Sequence, residues 1–97
     1  MTMTEFAKVD FHDGTLHRLS VDWRSRKCEA EISLCVPGGR RVTVVWSNVQ
    51  NTLLPHAAPW GESVSINVVR TPSDGVFEIE MQSGDTIVIE GTNPEIK

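Results

Sequence analysis

Residues 28–36 read CEAEISLCV, and apolar and polar side chains alternate there almost without a break. Successive residues of a β-strand point to opposite faces, so this stretch sets Cys28, Ala30, Ile32, Leu34 and Val36 on one face and Glu29, Glu31, Ser33 and Cys35 on the other. A helix would scatter the same residues around its circumference. The segment is therefore a half-buried strand, and the rest of the chain has to supply its partners.

The same period of two recurs. In residues 15–23, Leu19, Val21 and Trp23 alternate with Arg18, Ser20 and Asp22, with His17 on the apolar face by parity. Residues 41–46, 64–69, 76–81 and 86–90 are rich in Val and Ile. The punctuation between these runs is short. Arg24-Ser25-Arg26-Lys27 is a polar turn, Pro37-Gly38-Gly39 supplies a preset φ and residues tolerant of positive φ, and residues 71–75 (TPSDG) and 82–85 (QSGD) reverse the chain again. A parallel crossover needs a dozen or more residues, so neighbours joined this tightly are antiparallel. No segment carries helical periodicity of useful length. The expected fold is all-β, an antiparallel meander of about six strands forming a small sandwich or a partly open barrel. The one long connection, residues 47–62, is expected to hold a short helical turn or to carry the chain from one sheet to the other.

With 97 residues, 39% of them hydrophobic, the chain has material for one core and is read as a single domain, with a disordered stretch at 1–10 and a tail at 91–97. A net charge of -4 leaves no surplus of cations to neutralise phosphates, so nucleic acid is not an expected partner. No apolar run approaches the roughly 18 residues of a membrane span, and residues 1–10 contain no apolar leader. The two cysteines differ in parity and lie about 23 Å apart along an extended strand, too far for an intrachain disulfide. A reduced, cytoplasmic protein is expected.

Catalytic motifs are missing from the sequence. No serine sits in G-x-S-x-G, neither cysteine belongs to a nucleophile signature, and Gly38-Gly39 has no following helix to make a phosphate loop. The chain is expected not to be an enzyme and to need no cofactor. His12, Asp13 and His17, with His56 far along the chain, are the polar-site candidates. Their spacing matches no metal motif, and Asp13 before Gly14 reads first as turn chemistry, so no metal is assigned.

The long connection ends in PHAAPWGES, residues 55–63, where a tryptophan stands in a turn. Trp60 either folds under the loop to plug the end of the core or stays exposed as an anchor beside His56. The plug is the expected arrangement, because a small sheet needs its open ends covered. On the anchor reading His56, Trp60, Gly61 and Glu62 are partner-binding candidates. Glu29, Glu31, Glu78, Glu80 and Glu90 alternate with inward apolar residues and make part of the surface acidic. That pattern reads first as protection of exposed strands, and second as a face for a basic partner, for which Glu78 and Glu80 are the candidates.

The segments FHDGTL, PWGESVSIN and IEMQSGDTIVIE resemble those of small bacterial all-β proteins, some of them similar to immunity proteins of bacterial toxin systems. The resemblance runs from about Phe11 to Glu90. It implies a cytoplasmic, non-enzymatic protein that works by binding another protein. His12, Asp13, Trp60, Gly61, Glu62, Ser63, Ser83, Gly84 and Asp85 fall in the recurrent segments. A small-ligand or metal site near His12, His17 and His56 is the competing expectation, and self-association through a strand edge is a third.

Overall fold

A computed structural model describes residues 9–36, 38–57, 60–61 and 63–97. Eight strands are present: β1 (Thr15–Asp22), β2 (Lys27–Ser33), β3 (Arg41–Trp46), β4 (Asn51–Leu53), β5 (Ile66–Ser73), β6 (Val76–Met81), β7 (Thr86–Glu90) and β8 (Glu95–Ile96). They form two four-stranded antiparallel sheets, ordered β1-β2-β3-β8 and β4-β7-β6-β5. The all-β antiparallel expectation holds. Two strands of three and two residues were too short to read from the sequence.

β2 shows why the pattern was decisive. It lies between β1 and β3, with Cys28 opposite Trp46, Ala30 opposite Val44 and Ile32 opposite Val42. All six side chains are buried, while Glu29 stays exposed on the other face. The second sheet answers with Phe77, Ile79 and Met81 of β6 and Ile87 and Ile89 of β7. The rings of Trp46 and Phe77 meet across the core, tilted at 55° with centroids 6.1 Å apart. Each sheet thus covers the apolar face of the other.

Among the described residues, one isolated bridge joins the sheets by backbone, Thr15 to Ser65. Leu16 N–H donates to the Val64 carbonyl and Ile66 N–H to the Gly14 carbonyl, both at 2.8 Å. Gly14 is needed at this corner because a Cβ there would stand 3.0 Å from the Phe11 carbonyl oxygen and 3.1 Å from that of Ser33. The long connection does carry the chain between sheets, and it contains β4 where a helical turn was one expectation. Residues 91–97 were read as a tail, and Glu95–Ile96 in fact pairs with β3 as β8. The disordered stretch expected at 1–10 lies outside the described residues except for Val9 and Asp10, and Val9 packs against the core.

Parity misplaced one side chain in β1. The register shifts between Leu16, opposite Ile32, and Arg18, opposite Glu31, so His17 is the extra residue of a bulge. Leu16 and Leu19 both pack against the core, and His17 is exposed instead of sharing their face. Beyond Leu19 the inward expectation fades as well. Val21 is 42% exposed, and Trp23, which follows the strand, is 92% exposed. Val36 likewise lies past the end of β2 and is exposed.

Candidate functional site

The tryptophan in the turn is not a plug. Trp60 is 76% exposed, and the buried indole of the core is Trp46, at 0%. The physical reason is position. Trp46 ends a strand whose inward residues face the second sheet, whereas the loop around Trp60 is held against the rim of that sheet by its backbone. Trp60 N–H donates to the Ser83 carbonyl at 3.0 Å, and Ala57 N–H donates to Asp85 Oδ1 at 3.0 Å. Gly61 adopts φ 116°, a value that a side chain would strain, and this carries the backbone away from the turn. Glu62 lies outside the described residues.

Asp85 is the residue that organises this corner. It is nearly buried, accepts from Ala57 and from Ser83 Oγ at 3.2 Å, and its carbonyl receives Met81 N–H at 2.8 Å. The sequence marks 82–85 only as a turn. Its role in pinning a loop 28 residues away has no local signal.

Beside the loop runs an open groove of about 350 Å³. β1 supplies Leu16, His17 and Leu19, and the loop supplies Leu54 and His56. Leu54 and Val64 are exposed at its rim. The structure therefore brings His17 and His56 to one groove. His17 Nε2 sits 2.7 Å from Ser33 Oγ.

His12 does not join them. Its Nδ1–H donates to the Asn67 carbonyl at 2.6 Å, and its Nε2 lies 3.6 Å from Asp13 Oδ2. The carbonyl first, and the Asp13 carboxylate second, favour the protonated ring and raise its pKa. Asp13 stands at φ 62° in the turn, where its N–H donates to the Ile66 carbonyl and its carboxylate accepts from Gln82 Nε2. Among the described residues no three His, Cys, Asp or Glu side chains gather where they could hold a metal ion.

Glu78 and Glu80 point from the outer face of β6, away from the groove, and both are engaged. Arg70 on β5 donates from Nε to Glu78 at 3.0 Å and from Nη2 to Glu80 at 2.9 Å. Asn67 Nδ2 donates to the second oxygen of Glu80 at 2.7 Å, which together with Arg70 lowers the pKa of that carboxylate. Glu31 is matched by Arg41 at 2.9 Å, and Glu90 accepts from Asn51 at 3.0 Å. The acidic stripe of the sequence is thus largely answered by cross-strand partners.

No family model, no curated protein and no solved structure matches the chain. No helix of the described residues is long and apolar enough to cross a membrane.

Proposed function

We propose that this chain is a small non-enzymatic binding protein that docks another protein on the Trp60 loop and the groove beside it. The observation that carries the reading is an indole 76% exposed on a loop whose backbone is fixed by Asp85 and Ser83. A large aromatic on a backbone tethered at two points leaves less freedom to be lost on docking than one on an untethered loop, which favours it as a hot-spot anchor. Leu54 and Val64 extend its apolar contact, and His56 adds a polar group at the edge. An immunity-like role, with a cytoplasmic toxin as the partner, fits the resemblance and stays within this proposal. Glu78 and Glu80, already engaged by Arg70, are secondary contacts in this reading.

The test is capture from native cell extract with wild type and Trp60→Ala. Trp60 is exposed and not among the residues of the core cluster, so the variant should keep the wild-type melting temperature while losing about 2 kcal/mol of affinity, roughly 30-fold, for any specific partner. Equal capture by both proteins overturns the assignment.

A second reading rests on the groove. Its volume of about 350 Å³, with His17 and His56 at its wall, is within the range of small-ligand sites. A ligand there would shift the imidazole resonances of His17 and His56, leave His12 unmoved, and bind Trp60→Ala as well as wild type.

A further inference from the structure

The edge strands are β1 and β8 in the first sheet and β4 and β5 in the second. Three of these edges are blunted: β4 has three residues, β8 has two, and β5 carries Pro72 and a shift of register between Arg70 and Ser73. Short strands, proline and irregularity are the usual devices against pairing with another chain. β1 has none of them after its bulge. From Arg18 to Asp22 its register with β2 is continuous, and among the described residues no strand pairs with its outer edge beyond Leu16.

The side chains of that edge complement themselves. By parity Arg18, Ser20 and Asp22 share one face and Leu19 and Val21 the other, Leu19 packing against the core and Val21 standing exposed beyond it. When two copies of the strand run antiparallel about a twofold axis at Ser20, Arg18 faces the partner's Asp22, Leu19 faces the partner's Val21, and Ser20 faces the partner's Ser20. On β2, Arg18 is opposite Glu31 and Asp22 is opposite Lys27. The pairing therefore completes a row running Glu31, Arg18, the partner's Asp22 and the partner's Lys27, with the sign of charge alternating at every step. Centring the axis on Arg18 instead would oppose two guanidinium groups. Among the described residues Arg18 makes no ion pair within its own chain, and Val21 and Trp23 stand exposed beside it at 42% and 92%.

We propose that β1 is a homodimerisation edge, joining two copies of this chain into one eight-stranded sheet with the twofold axis at Ser20. Twofold closure uses up the open edge on both copies, so the assembly stops at two. The proposal does not depend on the Trp60 loop.

Sedimentation of the whole chain up to about 1 mM, where even millimolar association populates a dimer, is expected to show twice the 10.8 kDa monomer mass. Arg18→Asp replaces both attractive cross-strand pairs by repulsive ones and should weaken the dimer roughly tenfold or more. Opposed residues of an antiparallel pair have Cα atoms about 4.5–5.5 Å apart, within disulfide reach. In a Cys35→Ser background Ser20→Cys should therefore cross-link between chains on mild oxidation, and Arg18→Cys, displaced from its own copy by four residues, should not. A monomer throughout, a dimer indifferent to Arg18→Asp, or equal cross-linking at both positions would each overturn the proposal.

Discussion

Cys28 shows how far a single side chain was legible. Parity placed it on the inner face, and it is fully buried opposite Trp46. Burial pushes its thiol up to about 11, and the Glu29 carboxylate adds to the shift. The native state therefore holds this proton more tightly than the unfolded chain, whose thiol ionises near 9.0. Its contribution is complete below pH 9 and is lost as pH rises through 11, up to about 3 kcal/mol for a shift of this size. Urea titrations from pH 8 to 11 should show wild-type stability falling more steeply than that of Cys28→Ala, and parallel profiles would contradict the assignment. Trp60 marks the opposite limit. Which of three tryptophans fills the core depends on strand ends and on the bond that Ala57 N–H donates to Asp85, neither of which is local in sequence.

Among the elements, strands with unbroken alternation were readable residue by residue, whereas β1 and β5 were readable as strands but not the register shifts inside them. β2 and the turns at 74–75 and 82–85 follow the pattern, Pro37 of the expected turn at 37–39 lies outside the described residues, and β4 and β8, of three and two residues, are too short to establish an alternation. β5 runs on through Thr71, Pro72 and Ser73, where composition suggested a turn, because its register shift accommodates the proline without a ladder bond. The bulge in β1 yields a prediction against the usual rule. Removing one residue from a strand sends every later side chain to the wrong face. Removal of His17 should instead leave Leu16 opposite Ile32 and Arg18 opposite Glu31, restoring plain alternation from Leu16 to Leu19. Deletion of His17 is expected to alter stability by no more than about 1 kcal/mol, near the value of its one exposed hydrogen bond to Ser33. Deletion of Glu29 in the middle of β2 should abolish folding. Denaturant midpoints of the two deletions decide the matter, and a His17 deletion that unfolds would show the bulge to be structurally required.

At the scale of the whole molecule, the two sheets are held together by side chains far more than by backbone. Among the described residues one bridge and its flanking bonds join them, whereas the core draws Ala30, Ile32, Val44 and Trp46 from the first sheet and Ile66, Phe77, Ile79 and Ile89 from the second. Neither sheet can bury its inner face alone, so neither should survive separation. Phe77 is the sharpest probe of that dependence, since it is fully buried and meets Trp46 across the interface. Phe77→Ala removes apolar volume from the seam between the two layers and should cost about 3–5 kcal/mol, a large share of the stability of a domain this size. With Trp23→Phe and Trp60→Phe installed, Trp46 alone reports on the first sheet. Its fluorescence and the far-ultraviolet circular dichroism of the whole chain should then lose structure at one common, lowered midpoint, although the substitution lies in the second sheet. If the Trp46 signal held to higher denaturant than the dichroism, the first sheet would be stable by itself and the shared core would not be what unites the molecule.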